Sequence, residues 1–300
     1  MKNRALKRFI YSLSLLALPL SCFPVSSYGF IKTDTVVNSG FKIKTIIIDA
    51  GHGAKHTGGA GHFSPGASGS YSLERDVTLA IAFKLQKAIE KDMAGVKVVL
   101  TRTTEDDVAW ERRAEIANQN KGNLFISLHC NSLSDRRVRE KIGTKHHKAV
   151  YRTVDVPDRS GKGVLILVYG LWRLKEQENS IRNNQVEESE TDVDADPNDP
   201  VTAILANEYK RKFRQQSINL ANLINNEFVQ TDGRPSEGIR EQGIYVLCHS
   251  AMPSVLVETG YINNPKDEEY LNSEAGQNEV ANSITRALLS YKSSVEQISQ

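Results

Sequence analysis

Thr45-Ile-Ile-Ile-Asp-Ala-Gly-His-Gly53 is the stretch on which the reading of this chain turns. The apolar run is short and ends in Asp49-Ala50-Gly51-His52-Gly53, so it reads as a buried strand that feeds a glycine-rich loop. The loop continues to about Ser70. A helix begins near Ser72, and Val77, Ile81, Leu85 and Ile89 recur every four residues as its apolar stripe.

The same punctuation continues along the chain. Val96–Leu100, Leu124–His129, Gly163–Tyr169, Gly243–Leu247 and Ser254–Glu258 read as further strands. Helices are expected over Ala109–Asn120, roughly 201–228 and about 276–292. Strands mixed with helices in a chain of 300 residues predict a single α/β domain. Its sheet should be twisted, roughly six-stranded and mostly parallel or mixed, with helices on both faces. The domain is expected to span about 43–295.

Residues 1–29 look unlike the rest. Lys2, Arg4, Lys7 and Arg8 precede a mostly apolar stretch from Phe9 to Leu20, and small residues follow at Ser26, Ser27 and Gly29. This is the layout of a secretory signal peptide, and the apolar run is too short to cross a bilayer. Cys22 offers a variant, lipidation after cleavage before it, although Pro19 stands where an aliphatic residue is usual. Either way the mature chain lies outside the cytoplasm, in the periplasm or cell envelope, with no transmembrane segment. Removing the four basic residues of the leader from the 38 Lys+Arg leaves 34 against 36 Asp+Glu, a formal charge of −2. A charge this small gives no reason to expect nucleic-acid binding. Cys130 and Cys248 are expected to be free, buried thiols.

Composition shifts twice between about 133 and 200, which reads as an insertion with a solvated surface. Asp135 to Arg152 carries seven Lys/Arg and two acids, whereas Glu187 to Asp199 carries seven acids and no Lys/Arg. Asp192, Asp194 and Asp196 suggest a calcium loop only superficially, because Pro197 stands at the glycine position and Ala203 at the position of the bidentate glutamate.

Four residues could carry chemistry. His52 follows the first strand, Glu74 opens a helix, His129 ends Phe125-Ile-Ser-Leu-His129, and Glu258 closes Val255-Leu-Val-Glu258. Open α/β sheets bind ligands at the carboxyl ends of their strands. Glu74 alone reads as an acid favoured by a helix N-terminus. Glu258 is harder to dismiss, since a buried carboxylate is costly unless paired or metal-bound. Two imidazoles and a carboxylate are the ligand count of a catalytic zinc site, and a second carboxylate supplies the acid/base group. His56 and His62 compete with His52 as ligands. The strand-end position favours His52, and His56, His62, His146, His147 and His249 are expected to face solvent.

Six motifs occur in order: Ile47-Ile-Asp-Ala-Gly-His-Gly53, Leu73-Glu-Arg-Asp-Val77, Leu100-Thr-Arg-Thr103, Glu111-Arg-Arg-Ala-Glu-Ile-Ala-Asn118, Phe125-Ile-Ser-Leu-His-Cys-Asn131 and Met252-Pro-Ser-Val-Leu-Val-Glu-Thr-Gly-Tyr-Ile262. Together they resemble the zinc-dependent N-acetylmuramoyl-L-alanine amidases of the bacterial division type, over about residues 43–292. The resemblance implies one Zn2+ per chain held by His52, Glu74 and His129, with Glu258 as the catalytic glutamate. The implied substrate is peptidoglycan, cut at the amide between N-acetylmuramic acid and L-alanine. Asn131 and Arg102 are candidates to line the pocket or support its ligands. Ala54 departs from the family's second glycine, and residues 55–64 look inserted. The resemblance further suggests that the 171–198 segment is a lid, displaced by a protein activator, with Glu178, Glu187 or Glu188 as the blocking acid; a solvated helix and linker is the alternative. A non-catalytic wall-binding protein and another zinc hydrolase of the wall are the competing classes. Neither fits as well, since no ligand is lost and the ordered motif set is specific.

Overall fold

The computed structural model describes residues 42–54, 61–188 and 200–297. The leader expected at 1–29, Cys22 and His56 lie outside the described residues.

The chain runs β1 (Thr45–Ala50), α1 (Glu74–Asp92), β2 (Lys97–Leu100), α2 (Trp110–Gln119) and β3 (Leu124–Asn131). There follow β4 (Arg136–Lys145), β5 (Lys148–Val156), β6 (Val164–Tyr169), α3 (Leu174–Glu188) and α4 (Pro200–Asn226). The last elements are β7 (Ser236–Gln242), α5 (Tyr245–Cys248), β8 (Ser254–Tyr261), α6 (Pro265–Asn272) and α7 (Glu274–Gln297). Six strands form one sheet in the order β2-β1-β3-β8-β6-β7. The first four are mutually parallel; β6 runs antiparallel to β8 and parallel to β7.

β1, β3 and β8 are the innermost strands, and each is an almost continuous apolar run because helices cover both faces of the sheet. On one face, Ile81 and Leu85 of α1, Leu220 and Ile224 of α4, and Ile284 and Leu288 of α7 are fully buried in the same apolar cluster as Ile46, Ile126 and Val257. On the other, Ala117 of α2 and Val246 and Leu247 of α5 join Ile47, Phe125 and Leu256. Strand alternation decides which residues are free for chemistry. Asp49, Ser127, His129 and Glu258 share the parity of this second set, so they all look toward the α2–α5 face. The α1 crossover leads from β1 to β2 over one face, and the α2 crossover returns from β2 past β1 to β3 over the other, so the loops that follow β1 and β3 meet at neighbouring carboxyl ends.

One expectation needs correction, and two elements were not foreseen. Gly243–Leu247 is not a strand. The sixth strand of the sheet is the preceding Ser236–Gln242, a polar edge strand, and the apolar run after it folds into the short helix α5. Within the insertion, the basic stretch forms a separate, exposed antiparallel hairpin of β4 and β5, which was not anticipated. α6 was not anticipated, although its signal is present in Asn264, which caps the Lys266 and Asp267 amides ahead of Pro265 in the first turn. Cys130 and Cys248 are free and buried, as expected.

Ile126 sits at the centre of β3, fully buried and paired with both β1 and β8. Ile126→Ala should lower stability by about 2–5 kcal/mol in urea unfolding, the range for a truncation that a packed core cannot close around.

Candidate metal centre

The centre is built on the loop that leaves β1, and two buried arginines hold that loop. Arg113 of α2 is 2% exposed. Its guanidinium bonds Asp49 Oδ1 at 2.6 Å and Asp107 Oδ1 at 2.8 Å, and it also donates to the carbonyls of Ala50 and His52 at 2.6 and 2.7 Å. Arg102, 4% exposed, donates to the carbonyls of Ala50, Gly51, Arg75 and Thr104. Asp49 accepts further bonds from Thr101 and Ser127. Burial opposes its ionisation, but the Arg113 charge and these hydroxyls prevail and hold the carboxyl below its usual 3.8.

The loop so gripped presents His52 at φ 61°, in the left-handed region that a β-carbon disfavours. Its ring is wedged between two groups. Nδ1 lies 3.1 Å from the Ser64 carbonyl, which can only accept, so Nδ1 carries the proton. Nε2 then turns its lone pair toward Glu74 Oε1 at 3.1 Å. His129 Nδ1 approaches the same oxygen at 3.0 Å. The Ala67 and Cys130 amides fix the carboxylate of Glu74 at 2.7 and 2.9 Å. Burial disfavours a charged Glu74, yet the bond to His129 outweighs it and keeps the carboxyl well below the ordinary range. Gly66 makes the packing possible: at φ +79°, a Cβ there would lie 2.8 Å from the His52 ring and 2.9 Å from Glu74 Oε2.

The ligand atoms of His52, Glu74 and His129 all lie within 4.8 Å of one another. Two imidazoles and a carboxylate suit a divalent cation such as zinc. The residues fit it in a second respect. A neutral imidazole nitrogen facing a carboxylate oxygen sets two lone pairs against each other, and a cation between them resolves the conflict. The Ser64 carbonyl on the far side of His52 is the usual outer partner that fixes a ligand's tautomer.

Glu258 on β8 is in register with His129. Its Oε2 is shut from solvent and has no hydrogen-bond partner among the described residues. Burial, and then the negative charge of Glu74, push its carboxyl up to about 8. A cleft of about 370 Å3 runs along this face, walled by His52, His129, Trp110, Tyr245, Ile244 and Arg173.

The structure thus brings His52, Glu74 and His129 together and places Glu258 on the neighbouring strand. Arg102 does not line the cleft; it is buried beneath the loop as a support. Asn131 stands at the end of β3, where its side-chain oxygen accepts from the Ser132 amide at 2.8 Å. His62 is apart from the cluster, 2.6 Å from Glu111 and stacked on Trp110. His146 and His147 form the exposed hairpin turn. His249 is not solvent-facing as expected: it is half-buried, stacked on Tyr245 at 3.8 Å. Glu178 is bonded to Arg182 and Lys210 at 2.9 and 2.5 Å rather than to the cluster. Glu187 and Glu188 close α3, and their side chains lie outside the described residues. Sequence reading missed Arg113, Arg173, Trp110 and Tyr245. For Arg113 a signal existed, the charged Asp49 closing a run of isoleucines, which requires a buried partner.

An open α/β sheet with two imidazoles and a carboxylate on the loop and strands at its carboxyl edge, joined there by a second carboxylate from a helix start, has the layout of a hydrolase. The comparison with known proteins makes this specific. The family model of N-acetylmuramoyl-L-alanine amidase matches residues 46–290, and the chain belongs to that family. The N-acetylmuramoyl-L-alanine amidase AmiA of Escherichia coli (strain K12) is 25% identical over 266 residues, covering 89% of this chain and 81% of AmiA. The structure of AmiC2 of Nostoc punctiforme superposes with a TM-score of 0.55 at 26% identity, over 84% of this chain and 98% of that one. The CwlD amidase of Clostridioides difficile, solved in complex with the GerS lipoprotein, shares the fold with a TM-score of 0.55 at 22% identity, over 84% and 99%. The chain is therefore a hydrolase of the peptidoglycan amidase family, and its reaction is cleavage of the amide joining N-acetylmuramic acid to L-alanine.

Removing one member of a buried ion pair strands the other, so Arg113→Met should cost about 3–5 kcal/mol in urea unfolding. The pH dependence has a definite sign. The carboxyl of Asp49 is held low in the folded state, so its contribution is complete above pH 3.8 and is lost as pH falls through the folded value. Asp49→Asn should flatten that acid limb, measured by denaturant unfolding from about pH 2.5 to 6.

Proposed function

We propose that this chain is an exported, zinc-dependent N-acetylmuramoyl-L-alanine amidase that holds one metal ion through His52, Glu74 and His129. The observation that carries the reading is the Glu74 oxygen set between the nitrogens of His52 and His129 at 3.1 and 3.0 Å. Zinc bound there supplies Lewis acidity toward the amide carbonyl and lowers the pKa of water to about 7. Glu258 does the proton work. Burial raises the proton affinity of this carboxylate, which suits it to take a proton from the attacking water and hand it to the departing amine. The hydrogen bond to Ser64 keeps His52 in one tautomer, and the Arg113 and Arg102 grip fixes the loop that carries it. Trp110 and Tyr245, in the cleft wall, offer flat surfaces to the glycan and stem peptide.

Cleavage of the leader at 1–29 and residence in the periplasm or envelope belong to this reading, and no described helix is long and apolar enough to cross a membrane. A protein activator also belongs to it. The Clostridioides difficile relative was solved with a lipoprotein, and here Leu171 and Trp172, next in sequence to the cleft residue Arg173, are 55% and 66% exposed.

Digestion of purified peptidoglycan tests the reaction. Release of stem peptides with a free L-alanine amine is expected; release of other fragments refutes the assignment. Chelation should abolish turnover and zinc should restore it. His129→Ala should lose the metal. Glu258→Gln should keep stoichiometric zinc by metal analysis while losing at least about 100-fold in kcat, and an active Glu258→Gln enzyme would overturn the role given to it.

A further inference from the structure

The β4–β5 hairpin takes no part in the chemistry above. It departs just past Asn131, on the strand that carries His129, and its base is tied down. The Asn263 side-chain amide donates to the carbonyls of Leu133 and Asp158, and Arg136 pairs with Asp158. Beyond the base the two strands pair only with each other.

Register sorts the side chains onto two faces. Arg137, Arg139 and Lys141 of β4 stand opposite Asp155, Thr153 and Tyr151 of β5, and strand alternation puts all six on one face. The register shifts only beyond Lys141, so this face is unbroken. Arg136, Val138 and Glu140, opposite Val156, Val154 and Arg152, make the other. There Glu140 and Arg152 neutralise each other at 3.0 Å, and Val138, Val154 and Val156 are half-buried. On the first face every one of the six is exposed. Arg137 is 3.5 Å from Asp155, and Arg139 lies over the Tyr151 ring at 4.9 Å. Neither Arg139 nor Lys141 has a carboxylate partner among the described residues. Three cations thus face one carboxylate. Alternate residues of a strand stand about 7 Å apart, so the cations form a row about 14 Å long.

The bond cut by the family fixes the charge of what such a row would meet. L-alanine contributes its nitrogen to that bond, so the stem peptide hangs from the glycan by its amino end. Its carboxyl end is an anion wherever it is not joined to another chain. A glycan bearing many such peptides is a polyanion with sugar rings between its charges. A row of cations complements the carboxylates, and the Tyr151 ring, 47% exposed, offers an apolar surface to a sugar.

We infer that this face, Arg139, Lys141 and Tyr151 with Arg137 at its base, is a second binding site for peptidoglycan. It takes stem-peptide carboxylates on the cations and sugar on Tyr151, and it holds the insoluble polymer beside the end of β3. The inference rests on peptidoglycan being the substrate, but not on the metal or on Glu258.

Co-sedimentation with insoluble peptidoglycan tests it, using the zinc-loaded Glu258→Gln form of residues 30–300 so that the polymer is not consumed. Peptidoglycan stripped of phosphate-bearing polymers should bind this form, and binding should weaken as salt rises. Arg139→Ser combined with Lys141→Ser should bind about tenfold more weakly. Arg139→Lys combined with Lys141→Arg keeps the charge and should bind as the parent does. Tyr151→Ser should weaken binding about fivefold. Capping the carboxylates of the polymer as neutral amides should weaken binding as much as the serine pair does. In the active chain, the serine pair should digest soluble muropeptides at the wild-type rate while more insoluble peptidoglycan is needed to half-saturate it. Full binding by the serine pair, or undiminished binding to the capped polymer, overturns the inference; so does binding that occurs only while phosphate-bearing polymers remain. A chain that binds as expected but releases no stem peptide upholds the second site and refutes the proposed reaction instead.

Discussion

The ion pair between Asp49 and Arg113 is the constraint on which the rest of the centre depends. Charges buried to this degree are costly unless both partners are fully bonded. Here the remaining capacity of the guanidinium goes to Asp107 and to the carbonyls of Ala50 and His52. A local electrostatic necessity therefore sets the path of the chain from Asp49 to His52. Arg102 grips the same loop from the side of α1, through the Gly51 and Arg75 carbonyls. His52 can occupy a left-handed conformation because its neighbours are held from both sides. The apolar core packs the strands, but it is this pair that aims the first imidazole.

A second constraint comes from strand parity. His129 and Glu258 are register partners on adjacent parallel strands, which brings an imidazole and a carboxylate together without any loop. Glu74 reaches the same place from the start of α1, where the Ala67 and Cys130 amides receive it. Two carboxylates in a space closed to solvent repel, and the raised carboxyl of Glu258 is the measure of that repulsion added to burial. A dication among them would remove the conflict, which is why this set is better explained by metal chemistry than by packing. A core selected only for stability would hold apolar side chains there.

Much of this was legible in the sequence, for a physical reason. Strands covered on both faces must be apolar along their length, so Ile46–Ile48, Leu124–Leu128 and Ser254–Val257 announce themselves. Strands that face water do not. β7 reads Ser-Glu-Gly-Ile-Arg-Glu-Gln and lies at the sheet edge, so its pattern was overshadowed by the apolar run behind it, which became α5. The length of that run could not separate a buried strand from a buried helical turn. The hairpin was hidden likewise, since residues paired only with each other in solvent need no apolar period. Within the centre, His52, Glu74, His129 and Glu258 were visible as charged or polar groups at the ends of apolar elements. Arg113 was not, because in α2 it looks like one more basic residue of an amphipathic helix.

The 171–188 segment shows how far resemblance alone can carry an argument. The resemblance to the amidases suggested that one of its acids could block the centre. In the fold, Glu178 instead lies between Arg182, one turn on, and Lys210 of α4, and it is the Lys210 bond that chiefly holds its carboxyl low. An acid tied to two cations on a helix pair stabilises that pair, and to reach the centre it would have to surrender both partners. The segment does contribute to the cleft wall through Arg173, whose guanidinium is paired with Glu176 at 2.9 Å. A blocking role for Glu178 therefore carries the cost of two ion pairs, and that cost is what any displacement of the segment would have to offset.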